Sequence, residues 1–130
     1  MATAETQGLS LRTASLGGLE WTGIVAALVS AVIHIRLGVG FAPSPLGISF
    51  ILAGLGFLGA IALVLVDYRR QAVYAVGIPF TLVQIVAWYY LNFVAGPKSF
   101  PGDIGTLGGI DKIAQVVLLA VLVVLLRQQS

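Results

Sequence analysis

Two stretches decide the reading: LGISFILAGLGFLGAIALVLV (Leu46–Val66) and AVYAVGIPFTLVQIVAWYYLNFV (Ala72–Val94). They run for 21 and 23 residues without one Asp, Glu, Lys or Arg. A helix rises about 1.5 Å per residue, so each run matches the ~30 Å hydrocarbon layer of a bilayer. Only the short polar turn from Asp67 separates them, which makes the two helices antiparallel neighbours.

Upstream, an apolar stretch from Leu19 to Gly38 closes with His34 and Arg36. It is stopped by GFAPSP (Gly40–Pro45), because proline disfavours helix in the residue before it. Downstream, Ala95–Gly109 holds two prolines and five glycines and leads into a last apolar run, about 108–126, with Arg127 at its exit. The expected fold is therefore all-α: an integral membrane four-helix up-and-down bundle with spans near 19–38, 46–66, 72–94 and 108–126. Gly77 and Pro79 predict a kink in the third span. Residues 1–18 read as a polar, mobile N-terminal tail, and 19–127 as a single transmembrane domain. The first span reads as retained rather than as a cleaved signal, since a charged segment before it is weak and its apolar run starts late.

Composition agrees. The 130 residues are 58% hydrophobic and 9% charged, with mean hydropathy +1.03. Soluble domains carry about a quarter charged residues, so lipid rather than water must wet most of this surface. The absence of cysteine excludes disulfides, thiolate metal sites and cysteine nucleophiles. With His34 the only histidine, a bis-histidine haem within one chain is excluded too. Seven scattered basic residues against five acidic ones form no nucleic-acid patch. No cofactor and no enzymatic activity are expected, and the expected partners are the lipid bilayer and either further copies or a larger membrane complex. Arg12, Arg69, Arg70 and Arg127 on one side against Arg36, Lys98 and Lys112 on the other favour a plasma-membrane protein with both termini cytoplasmic.

Helices associate in lipid through close backbone approach and interhelical hydrogen bonds. Gly23, Ala27, Ser30, His34 and Gly38 fall at helical spacing on the first span, and Ser49, Ala53, Gly56 and Ala60 on the second. The two small-residue stripes are expected to meet. Gln84 and Gln115 lie near the middle of spans three and four and are expected to bond each other. His34, Trp88 and Asp111 reach a common depth about a turn further out, with Asn92 at the mouth. Together His34, Gln84, Trp88, Asn92, Asp111 and Gln115 form a candidate polar vestibule entered from the outer side. Such groups serve either as interhelical glue or as a titratable His34–Asp111 couple, in which the carboxylate favours the protonated imidazole and burial the neutral one. If Asp111 caps the start of span four instead, the couple does not form.

Five segments, WTGIVAALV (Trp21–Val29), HIRLGVGF (His34–Phe41), APSPLGISFILAGLGF (Ala42–Phe57), Tyr68-Arg69-Arg70 and VGIPFTLVQIVAWY (Val76–Tyr89), carry a resemblance over about two-thirds of the chain. They resemble small four-span membrane proteins of halophilic archaea that have no assigned activity. The resemblance implies four membrane helices and offers no substrate, cofactor or catalytic residue. In length and span number the chain also looks like the small multidrug-resistance exporters, but the matching acid, Glu20, stands at the end of its helix. The expected role is that of an accessory or structural membrane subunit. The alternative is a small proton-linked transporter or ligand-binding protein working through the vestibule.

Overall fold

The structure is a computed structural model that describes residues 11–129. The first ten residues of the expected tail lie outside the described residues. Four α-helices follow a short 3-10 turn at Thr13–Ser15: α1 (Gly18–Phe41), α2 (Pro45–Leu65), α3 (Arg70–Tyr89) and α4 (Thr106–Gln129). No strand occurs among the described residues. All four helices are long and apolar enough to cross a membrane. Each chain reversal is local, so neighbours run antiparallel.

Local chemistry sets the ends. The Glu20 carboxylate accepts the Gly17 N–H at 3.0 Å, satisfying a donor at the start of α1. Ser44 caps α2, its Oγ accepting from Gly47 N at 3.2 Å, with Pro45 in the first turn where a missing N–H costs nothing. The turn between α2 and α3 needs two left-handed non-glycine residues, Asp67 (φ 56°) and Arg69 (φ 51°). Arg70 compensates. Its Nε donates to the Val64 carbonyl at 2.9 Å and lies 3.3 Å from Asp67 Oδ1, while its two terminal nitrogens donate to Ser15 Oγ (2.7 Å) and the Arg12 carbonyl (2.9 Å). Arg12 N–H in turn donates to the Leu65 carbonyl at 2.7 Å. The last part of the expected mobile tail is thus fastened to the end of α2, and Arg70, counted from sequence only as a charge on the cytoplasmic side, is a clasp.

Pro79 sits inside α3, which runs unbroken past it. The helix ends in one wide π turn, Tyr90–Val94. Asn92 Nδ2 donates to its own helix at the Trp88 carbonyl (2.8 Å), and Trp88, Tyr89, Phe93 and Phe100 form a ring cluster under the connection to α4.

Around the bundle the order is α2, α1, α4, α3. The α1–α2 contact is the most extensive, α1–α4 and α3–α4 follow, and α2 meets α3 only sparsely. The small-residue stripe expected on α1 is buried throughout, at Gly23, Ala27, Ser30, His34 and Gly38. It is shared between two neighbours, however. A Cβ at Gly23 would stand 3.0 Å from Val121 of α4, and one at Gly38 would stand 2.7 Å from the Gly47 carbonyl of α2. On α2 the expected stripe is corrected: the close approach uses Gly47 and Gly54. A Cβ on Gly54 would come within 2.5 Å of Ile35 and 2.9 Å of the Ala31 carbonyl. Ser49 is exposed and bonds its own Leu46 carbonyl, and Gly56 faces the Phe80 ring of α3. Without a side chain at Gly47 and Gly54, backbones approach to the range where dispersion and weak C–H···O contacts accumulate.

Candidate functional site

Ser30 (α1), Gln84 (α3) and Gln115 (α4) stand near the middles of their helices, and His34 (α1), Asp111 and Lys112 (α4) about one turn further toward the α1 C-terminus. Ser30 and Gln115 are fully enclosed, and Asp111 and His34 are buried at 3% and 6% exposure. Polar atoms hidden at this depth require partners, since no water competes to supply them.

The partners form one continuous chain. Ser30 Oγ donates to Asp111 Oδ1 at 2.5 Å. Lys112 Nζ donates to Asp111 Oδ2 and to Gln115 Oε1, both at 2.6 Å. Gln115 Nε2 donates to Gln84 Oε1 at 2.9 Å and, at 3.3 Å, to Ser30 Oγ. Gln84 Nε2 closes the chain on the Phe80 carbonyl of its own helix at 3.0 Å. The network therefore ties α1, α3 and α4 together, and the Asp111–Lys112 ion pair balances its own charge inside a low-dielectric interior. Lys112 also lies 5.4 Å over the Trp88 ring, a cation–π contact that adds to its bonds with Asp111 and Gln115.

His34 stands at the edge of this chain. Its Nδ1 lies 2.9 Å from the Ser30 carbonyl, so that nitrogen carries the proton and donates. Asp111 Oδ1 is 3.6 Å away, within ion-pair range but beyond hydrogen-bond length. The ring packs at 5.4 Å from Phe50 and 6.0 Å from Phe57 of α2, and Nε2 has no hydrogen-bond partner among the described residues.

Of the six residues singled out from sequence, the structure bonds Gln84 directly to Gln115, links Asp111 to Gln115 through Ser30 and Lys112, brings His34 within 3.6 Å of Asp111, and places Trp88 against the network through Lys112. Asn92 is spent on its own helix and does not reach it. Two members went unread. Ser30 was counted only as a small residue, although it lies four before His34 on the same face. Lys112 was assigned to the outer surface, although it lies three before Gln115 and so on a neighbouring position of the helix. Among the described residues no group of three or more His, Cys, Asp or Glu side chains gathers to hold a metal ion.

Chemically, this arrangement can hold three helices in register, and it keeps one carboxylate, one ammonium and one imidazole close together in the interior of the bundle. Neither a curated protein nor a solved structure matches the chain. A model described as a family of unknown function (DUF7475) matches residues 5–126, nearly the whole chain, and the protein belongs to that family.

Proposed function

We propose that this is a non-enzymatic multi-pass protein of the plasma membrane, an accessory or structural subunit whose bundle offers a rigid face to a partner or to another copy. Both termini lie on the cytoplasmic side, where Arg12, Arg69 and Arg127 face the headgroups, and the chain groups with the four-span proteins of halophilic archaea that it resembles. The observation that carries the reading is the mutual satisfaction of Ser30, Gln84, Asp111, Lys112 and Gln115. A transport pathway needs polar groups that exchange partners; these are committed to one another across three helices, as a clamp requires. The test is purification of the tagged chain from its native membrane in mild detergent after cross-linking. A stoichiometric partner or a defined oligomer supports the reading, and a lone chain that moves solute in proteoliposomes overturns it.

One observation favours a second reading, a proton-linked transporter or ligand-binding protein: the His34 ring, whose Nδ1 lies 3.6 Å from the Asp111 carboxylate. Proteoliposomes holding a pH-sensitive dye separate the two. Proton flux under a potassium diffusion potential that is lost in both His34→Ala and Asp111→Asn would replace the structural role; flux no greater than that of empty vesicles supports it.

A further inference from the structure

Below the polar network, in the half of the bundle that contains the α2–α3 turn, the four helices leave a cavity of about 60 Å³. Its wall is almost wholly apolar, formed among others by Ala27, Phe57, Ala60, Gly77 and Leu118. One wall residue is out of place. Thr81 is completely buried, and its Oγ1 has no hydrogen-bond partner. A threonine within a helix ordinarily gives its hydroxyl to a carbonyl of the preceding turn. An orphaned hydroxyl in an apolar interior has lost its bonds to water and gained none in return.

Water is a poor occupant. A buried water needs two to four polar partners. The other polar wall residues, Glu20 and Tyr74, lie toward the far end; Tyr74 is seven positions before Thr81 on α3, about 10 Å along the axis. Glu20 is already bonded to the Gly17 N–H. Neither side chain is placed to share a water with Thr81.

The cavity also reaches the surface. It lies beneath the sparse α2–α3 seam, where Ala60, Ile61, Val73 and Gly77 are only partly covered. The Phe80 ring bridges the seam, set edge-on to Phe57 at 5.1 Å and resting where Gly56 has no side chain. Phe80 is thus the ring that stands between the cavity and the exposed side of the seam.

We propose that this is a binding site for an apolar, membrane-dissolved molecule bearing one hydrogen-bond-accepting oxygen, such as a ketone or aldehyde carbonyl. Thr81 Oγ–H donates to that oxygen, the enclosed volume takes the few heavy atoms around it, and the hydrocarbon body lies in the seam beside Phe80. The proposal is independent of the role assigned to the polar network.

The test uses the full chain in lipid nanodiscs, with Thr, Ile, Leu and Val methyls labelled for NMR, titrated with 2-nonanone and, separately, n-nonane. Saturable shifts at the Thr81, Val64, Val73 and Leu118 methyls are expected with the ketone. Thr81→Val, which keeps the shape and removes the hydroxyl, should weaken ketone binding about fivefold, the size of one neutral hydrogen bond, and leave nonane unchanged. Ala60→Phe, which fills the cavity, should abolish the saturable component for both. Shifts that rise linearly with ketone, as for simple partition into lipid, would overturn the proposal, as would equal ketone affinity in Thr81→Val and the parent chain.

Discussion

Gln115→Leu is the sharpest probe of the interior. The substitution keeps the side-chain size and removes three hydrogen bonds: from Lys112 Nζ at 2.6 Å, to Gln84 Oε1 at 2.9 Å and to Ser30 Oγ at 3.3 Å. Interhelical hydrogen bonds in membranes average about 0.6 kcal/mol and reach about 1.7. The 3.3 Å bond belongs at the weak end. The one from Lys112 lies within α4 and is charge-assisted, so losing it leaves the ammonium, at 13% side-chain exposure, without its amide-oxygen acceptor and with the Asp111 carboxylate alone. The expected total is about 1.5–3 kcal/mol. Steric-trap unfolding in bicelles measures it, with Ser49→Ala as the control, since Ser49 is exposed and bonds only its own helix. A double-mutant cycle with Gln84→Leu should return a coupling of about 0.5–1 kcal/mol, because the Gln84–Gln115 bond is lost once and not twice. A cost for Gln115→Leu no larger than that of Ser49→Ala, or a coupling of zero, would refute the inward-facing clamp.

Other substitutions probe different parts of the bundle. Gly54→Ala drives a Cβ to 2.5 Å from Ile35 and should cost about 1–3 kcal/mol, whereas a Cβ at Gly59 meets nothing within 4 Å, so Gly59→Ala should be neutral or slightly stabilising in the same assay. Arg70→Gln breaks the clasp on Arg12, Ser15 and Val64. Amide exchange at Arg12 and Leu16 should rise at least tenfold while the middle of α1 stays protected. Lys112→Met withdraws the cation from Asp111 and from Trp88; the Trp88 emission should shift and the protein should lose about 2–4 kcal/mol, since a buried carboxylate is left without its countercharge. Unchanged emission and stability in that variant would mean that Lys112 reaches the headgroups instead of the interior.

Much of this was legible in the sequence for simple reasons. Charge-free runs of bilayer length admit few structures, because backbone groups in lipid must bond within their own segment. Spacing of three and four located the buried face of α1, and the depths of Gln84 and Gln115 brought them together. The α2 face was misread because α2 carries small residues on two faces. Ser49, Ala53, Gly56 and Ala60 make the denser stripe, but Gly47 and Gly54, one heptad apart, make the tighter contact, and only the partner's shape selects between them. Lys112 and Arg70 entered the sequence reading only as charges on the outer and cytoplasmic sides; each folds back onto acceptors that only the assembled bundle supplies. Asn92 follows a helix that widens into a π turn, and its bond to the Trp88 carbonyl has no sequence signal distinct from that of a residue facing the next helix. Thr81 carries no sequence signal that sets it apart, and its missing partner is a property of the folded interior.

The absence of cysteine allows a direct test of the whole arrangement. Leu28, Leu55, Val83 and Val116 lie near the middles of α1, α2, α3 and α4, with exposures of 46%, 52%, 63% and 57%. Each is replaced singly by a spin-labelled cysteine in liposomes, and collision rates with oxygen and with a water-soluble nickel chelate are compared. Four labels rich in oxygen contact and shielded from nickel, all at mid-bilayer depth, are the expected result. Nickel contact at any one of the four would mean that its helix does not cross the hydrocarbon beside the others.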